Sequence, residues 1–247
     1  MKEKVIGLIP ARMGSSRFPG KPIHMINGFP MIYWVYNQAK KCELIDKIYV
    51  VTEDEEIKAV CKEYGIPCMY KKVQVTGGAE RIACASDDVD GDIYLNIQGD
   101  EPLLEPDALT QIIEEMTKNK KENYVGLYSL IQTEEEFKDR NVVKVVLDND
   151  NHAMYFSRSC IPERFEYGYA YRVMGLYGYR KNQLEKFKNI KRSNIEILES
   201  GIEMIRMLEA GCKIKFVRTN YNSIGVDLPE HIEKVEKIMK KNMEKYR

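Results

Sequence analysis

The chain has 247 residues, 44% of them hydrophobic, and its 38 Lys and Arg balance 38 Asp and Glu. That length and apolar content suit one large domain with a sizeable core. A formal net charge of zero argues against a general nucleic-acid binder, which carries a basic excess. The six cysteines form no C-x-x-C pair and there are three histidines, which argues against structural zinc. No apolar run is long enough to cross a membrane. Scattered cysteines without a signal peptide point to free thiols in a reducing cytoplasm.

Taken in chain order, residues 4–9 read as a buried strand. The segment from Pro30 to Ala39 opens on proline and continues with helical spacing, so Trp34 belongs to a core face. Lys47–Thr52 is a β-branched run and reads as a second strand. Glu53–Tyr64 follows as a charged amphipathic helix, Ile66–Tyr70 as a short strand, and Arg81–Ser86 as part of another helix. Ile93–Ile97 is a further apolar strand and Pro106–Lys118 a helix. Strands alternating with helices indicate an α/β fold with a parallel sheet covered on both faces.

The second half is less regular. Val142–Leu147 alternates like a strand, Asp148-Asn149-Asp150-Asn151 is a turn, and Met154–Ser157 returns as its partner. Tyr171–Tyr179 reads as a strand. Ile202–Ala210 reads as a helix closed by Gly211, Lys213–Arg218 as a strand, and Pro229–Lys245 as a terminal amphipathic helix. With no Gly/Ser linker and no internal repeat, residues 1–247 are expected to form a single domain. A subregion is expected at about 150–200.

Five segments carry chemistry. The loop after the first strand, Ala11-Arg12-Met13-Gly14-Ser15-Ser16-Arg17-Phe18-Pro19-Gly20-Lys21-Pro22, joins small residues to three cations. Gly and Ser let backbone N–H groups approach phosphate oxygens, and Arg and Lys neutralise them. It is not a Walker A loop: five residues separate Gly14 from Gly20, and Pro22 offers no hydroxyl. No G-x-G-x-x-G follows the strand, so a dinucleotide site is not indicated. A polar surface loop is the plainer alternative.

Asn96-Ile97-Gln98-Gly99-Asp100-Glu101-Pro102 ends a strand in carboxylates. Ligands of such sheets bind beyond the carboxyl ends of the strands, on the rim that also carries the Arg12–Lys21 loop. Asp100 there suits Mg²⁺ shared with substrate phosphates, or forms an ordinary turn. Asp227, in Gly225-Val226-Asp227-Leu228-Pro229, reads as a second metal carboxylate or as a helix cap. Arg81, in Gly77-Gly78-Ala79-Glu80-Arg81, reads as a nucleobase-reading fork or as an exposed or capping charge. Arg158, in Tyr155-Phe156-Ser157-Arg158, reads as a carboxylate ligand or as a structural ion pair.

These segments, with Val143–Asp148 and Gly175-Leu176-Tyr177-Gly178-Tyr179-Arg180, occur in the order seen in the 3-deoxy-manno-octulosonate (Kdo) cytidylyltransferases, or CMP-Kdo synthetases, and the chain resembles them nearly end to end. The resemblance implies a nucleotide-diphospho-sugar transferase-like (Rossmann-like) α/β fold with a mixed, mostly parallel sheet. It implies a cytoplasmic homodimer, with the 150–200 subregion serving sugar binding and dimerisation, in bacterial lipopolysaccharide or capsule synthesis. CTP, an acidic sugar and Mg²⁺ are the implied partners, with neither nucleic acid nor membrane. Arg12, Arg17 and Lys21 would hold the triphosphate, with Arg12, Lys21 and Asp100 carrying catalysis. Ala11, Ser16 and Arg81 would surround the nucleotide, and Gln98 would lie between nucleotide and sugar. Asp100 and Asp227 would carry the metal, and Arg158 would meet the sugar acid.

Three departures from the family pattern fall on or near the acceptor side. Val173 stands where the family usually has a sugar-reaching histidine, Gly77-Gly78-Ala79 replaces Ser-Gly-Thr, and the stretch between Pro162 and Tyr171 is shortened. Cytidylyl transfer is therefore better supported than Kdo as acceptor. An amino-substituted Kdo, another ulosonate or a phosphonate is the alternative acid. A CTP-binding protein without catalysis is the alternative class, disfavoured by two carboxylates retained together with Lys21.

Overall fold

In the computed structural model of the protein, residues 2–15, 17–73, 75, 77–222 and 224–246 are described. They form two compact units, one of Met1–Thr110 with Asn222–Arg247 and one of Gln111–Tyr221. The segment 150–200 lies within the second.

The first unit opens with β1 (Val5–Pro10), then a 3₁₀ turn over Lys21–Ile23 and the small hairpin β2 (Met25–Ile26) and β3 (Phe29–Pro30). It continues through α1 (Met31–Lys40), β4 (Lys47–Thr52), α2 (Glu55–Glu63), β5 (Cys68–Tyr70), α3 (Gly78–Ala85) and β6 (Ile93–Asn96). The helix α4 (Pro106–Lys118) carries the chain into the second unit. Strand β1 pairs in parallel with both β4 and β6, and β4 pairs in parallel with β5. An interior parallel strand is covered on both faces, so it reads as an unbroken apolar run. Val5, Ile6, Leu8 and Ile9 are accordingly all buried.

The second unit contains β7 (Tyr124–Leu130), α5 (Glu134–Lys138), β8 (Lys144–Leu147), β9 (Ala153–Ser157) and β10 (Tyr171–Arg180). Helices α6 (Lys181–Asn189), α7 (Asn194–Leu198) and α8 (Met204–Glu209) follow, then β11 (Lys215–Arg218). Here the pairing is antiparallel from β7 to β10, β10 to β8 and β8 to β9, and parallel only from β11 to β7. The chain then returns to the first unit as α9 (Glu230–Lys241) and α10 (Met243–Tyr246). The expected α/β class with a mixed, mostly parallel sheet and helices is the one observed.

Two expected elements differ in detail, and one strand was not expected. The strand expected from Ile66 begins at Cys68, because Pro67 has no N–H for the ladder, although its carbonyl accepts the Val50 N–H at 2.9 Å. The terminal helix breaks at Asn242, whose backbone leaves the helical region at φ −135°. Strand β7, unanticipated, packs tightly at Gly126, where a Cβ would lie 2.9 Å from the rings of Phe216 and Tyr177. All six cysteines carry free thiols; Cys42 and Cys61 are core residues, whereas Cys160 is exposed.

One core cluster of the first unit ties the phosphate-loop region to the C-terminal helices. Phe18, Ile26, Met31 and Trp34 pack with Val226, Ile232, Val235 and Met239. Trp34 Nε1 donates to the Ile26 carbonyl at 2.7 Å, and Gln38 Nε2 donates to the Tyr246 carbonyl at 2.9 Å.

In the second unit the nearly fully buried Glu196 accepts from Arg206 Nη2 at 2.6 Å, while Arg192 approaches it at 3.2 Å. Such a pair is costly to break from one side, because the survivor stays charged and dry. Arg206→Met is expected to lower stability by about 3 kcal/mol, and Glu196→Met/Arg206→Met by clearly less. Urea unfolding of the full chain checks this, and a double variant as unstable as the single would refute the assignment.

Candidate active site

The site grows from the carboxyl end of β1. Ala11 extends the β1–β4 ladder by donating to the Val51 carbonyl at 3.0 Å, which buries it. The chain then turns on one peptide group: the Met13 carbonyl accepts from Ser15 N–H at 2.9 Å and from Gly20 N–H at 3.1 Å. Gly20 adopts φ +71°, a left-handed conformation that a side chain disfavours. Phe18 is buried in the core cluster and anchors the loop, and Arg12 and Arg17 ahead of it are exposed. Lys21 opens the 3₁₀ turn, with Pro22 buried behind it.

The second wall comes from the end of β6. Ile97 N–H donates to the Leu8 carbonyl at 3.0 Å, continuing the parallel ladder to the rim. At Gly99 a Cβ would lie 2.8 Å from the Pro10 backbone oxygen, so only glycine fits the approach. Asp100 follows immediately. The Val226 N–H donates to the Asp100 carbonyl at 2.9 Å, which brings Asp227 beside it.

Lys21 Nζ donates to Asp100 Oδ2 at 2.7 Å and lies 3.5 Å from Asp227 Oδ1. Arg17 Nη2 reaches the same Asp227 oxygen at 3.1 Å. Asp227 is not a helix cap: α9 starts at Glu230 with Pro229 in the cap position and no side-chain capping bond. Its carboxylate serves the cations instead.

The third wall is α3. Arg81, read from sequence as a nucleobase fork or an exposed charge, is buried, with its side chain 3% exposed. Its Nη2 donates to Glu53 Oε1 at 2.8 Å, and its Nη1 is buried without a hydrogen-bond partner among the described residues. Glu53 is one residue beyond β4, where sequence reasoning saw only the start of a charged helix. Next to it, Asp54 Oδ2 accepts the Met13 N–H at 2.7 Å. The signal for both residues was their place at the rim end of a strand.

Ala11, Arg12, Arg17, Lys21, Arg81, Gln98, Asp100 and Asp227 thus line one cleft of about 310 Å³ in the first unit. Ser16, also expected there, lies outside the described residues. Arg158 belongs to the second unit. It donates from Nη1 to the carbonyls of Arg140 at 3.0 Å and Asn141 at 3.3 Å, so it serves backbone rather than a structural ion pair. Its Nε is buried without a hydrogen-bond partner among the described residues. Glu199 holds the adjoining turn, accepting from Ser157 Oγ at 2.9 Å and from Arg158 N–H at 3.1 Å. Buried Lys144 donates to the Arg158 carbonyl at 3.0 Å, and its burial holds the ammonium below the usual lysine range. Val173 is half-buried on β10 opposite Tyr128.

A cleft of four cations and two carboxylates at the rim of a parallel sheet suits a nucleoside triphosphate, and the class is that of a nucleotidyltransferase. Residues 6–241 match the family described as Cytidylyltransferase. A 3-deoxy-manno-octulosonate cytidylyltransferase from Thermodesulfovibrio yellowstonii is 38% identical over 95% of this chain and 97% of its own. An 8-amino-3,8-dideoxy-manno-octulosonate cytidylyltransferase from Shewanella baltica is 39% identical over 93% of this chain and 96% of its own. A solved CMP:2-keto-3-deoxy-manno-octonic acid synthetase complexed with CTP superposes with a TM-score of 0.91 at 31% identity, covering 97% and 99% of the two chains. The chain belongs to the Kdo cytidylyltransferase (CMP-Kdo synthetase) family and is an enzyme of the cytidylyltransferase type.

The Gly99 approach gives a direct test. Gly99→Ala is expected to cost about 1–3 kcal/mol by forcing β1 and the Asp100 turn apart. Because the strain falls at the rim, CTP affinity should fall with the melting temperature. A variant with unchanged melting and binding would show that the contact is not tight.

Proposed function

We propose that the protein transfers CMP from CTP to a 3-deoxy-ulosonic sugar acid, Kdo or its 8-amino analogue, with release of pyrophosphate. The observation that carries the reading is the convergence of Arg12, Arg17, Lys21, Asp100 and Asp227 in one cleft. The relatives named for these two acceptors support the choice of sugar, and the CTP-bound relative supports the nucleotide.

The donor set fits Mg²⁺. Two hard carboxylates already converge on one cation, and no described group of three or more Asp, Glu, His or Cys residues would complete an all-protein cage. One or two carboxylates with substrate phosphates is the usual magnesium arrangement. Asp100 and Asp227 would hold the ion, which when bound would neutralise phosphate charge and acidify the incoming hydroxyl.

The chain's own residues do the rest by position and charge. Arg12, Arg17 and Lys21 would grip the triphosphate and stabilise the departing pyrophosphate. Arg81 would offer its unpartnered Nη1 to an acceptor atom of the base. Gln98, beside Asp100, would face both substrates, and Arg158 would meet the sugar carboxylate. The sugar hydroxyl attacks the α-phosphorus directly, so no nucleotidylated enzyme is expected.

Asp100→Asn is expected to fold normally and lose turnover on the order of a hundredfold. Pyrophosphate release from CTP, with Kdo, 8-amino-Kdo and other ulosonic acids as separate acceptors, measures it. Full activity of the variant would remove the metal role. In the same assay Val173→His should raise activity on Kdo, and no change would place acceptor choice elsewhere.

We further propose a homodimer acting in the cytoplasm, which suits the free thiols. No described helix is long and apolar enough to cross a membrane. Apolar side chains stand exposed on the second unit: Met154, Ile195, Ile197 and Leu198, the last 82% exposed. The Tyr155 hydroxyl donates to Glu199 at 3.3 Å, joining β9 to the residue after α7, and a second copy would cover the apolar side chains of α7. Leu198→Glu should shift the mass measured by light scattering from dimer to monomer, and a dimer that persists would relocate the interface.

A further inference from the structure

We propose that Glu53 and Asp54, adjacent residues just past β4, are positioning residues that hold opposite walls of the nucleotide cleft; the inference rests on the cleft's binding CTP. The residues divide the work. Glu53 takes one arm of the Arg81 fork, Nη2 at 2.8 Å, and leaves the other arm, Nη1, buried and unpartnered on a side chain that lines the cleft. Without the carboxylate, a guanidinium this buried loses the ion pair that fixes its plane.

Asp54 shows its role by what it does not do. It occupies the N-cap position of α2, where an Asp side chain ordinarily accepts N–H groups of the first helical turn. No such bond forms here. The carboxylate instead reaches the Met13 N–H at 2.7 Å. Met13 is the pivot of the cationic loop, since its own carbonyl, in the next peptide group, accepts both the Ser15 and the Gly20 N–H groups. The backbone beneath is fixed: Asp54 N–H donates to Oγ1 of fully buried Thr52 at 3.1 Å, and Lys58 N–H donates to the Asp54 carbonyl at 3.1 Å. A helix cap has been given up to anchor the loop that carries Arg12 and Arg17.

The two roles predict different ligand dependence. Arg81 would face the base, which CMP and CTP share, whereas the loop would face the β- and γ-phosphates, which only CTP has. Titration calorimetry with CTP and with CMP, in wild type, Glu53→Ala and Asp54→Ala, tests this without any acceptor. Glu53→Ala should weaken both ligands alike, roughly ten- to hundredfold. Asp54→Ala should weaken CTP by about tenfold and CMP much less. Asp54→Asn, which keeps an acceptor for the Met13 N–H, should restore most of the CTP affinity.

A purely structural role would lower both affinities together in both variants. Equal losses of CTP and CMP in Asp54→Ala, or wild-type affinity in either alanine variant, would overturn the inference while leaving the cleft's function intact. A wild-type protein that binds neither nucleotide would overturn both. Should an alanine variant fail to fold, Asp54→Ser or Glu53→Gln replaces it and the same ratios decide.

Discussion

Two carboxylates, delivered from positions 100 and 227, converge on one ammonium at position 21. The rest of the first unit is arranged around that convergence. Each group arrives by a different route: Lys21 on the turn after β1, Asp100 on the turn after β6, Asp227 on the approach to α9. Side-chain attraction alone does not assemble them. The parallel ladder carries β1 and β6 to the same rim, the Val226 N–H clips the third segment to the Asp100 carbonyl, and the shared core of Phe18, Val226 and Val235 fixes the distances. A charged cluster held this way is positioned by backbone and core before any ligand arrives.

That arrangement also explains where side-chain volume is withheld. Gly99 sits against the Pro10 carbonyl, so the two strand ends are closer than any other residue would allow. The turn after β1 likewise passes through a left-handed glycine at position 20 just before Lys21. Both glycines stand one residue before a charged group of the site. They set the direction of the following side chain, which explains more than the notion that glycine merely leaves room for phosphate.

The first unit was largely legible in the sequence because its signals are local. Buried parallel strands appear as continuous apolar runs, and the rim rule then places the loops after β1 and β6 together. What was not legible depended on partners far along the chain. Asp227 had equal standing as a helix cap until Lys21 and Arg17 were seen to hold it. Arg81 read as a nucleobase fork or as an exposed charge, and burial with Glu53 removes the second reading. Glu53 and Asp54 were absorbed into an amphipathic helix because a charged pair before a helix is ordinary, and only the bond to Met13 distinguishes Asp54. In the second unit the helices α6 and α7 and strand β7 were unread. The pairing there is mostly antiparallel, β7 has a glycine at its tight crossing with Phe216, and short helices of five to nine residues leave little periodic signal.

The two units carry different kinds of evidence about the reaction. The cations and carboxylates proposed for the triphosphate lie in the first, converged in one cleft. The residues assigned to the acid, Arg158 and the position held by Val173, lie in the second. There Arg158 has one arm on backbone carbonyls and a buried Nε without a partner among the described residues, on a turn held by Glu199 and by the buried ammonium of Lys144. Polar groups withheld from water in this way gain from a ligand that satisfies them and penalise one that does not. If the proposed acid roles hold, acceptor choice would change through a few substitutions around Arg158 and Val173 while the nucleotide cleft stays as it is. Relatives named for Kdo and for its 8-amino analogue stand at almost equal identity to this chain, as expected if the acceptor is read by few residues and the nucleotide by many.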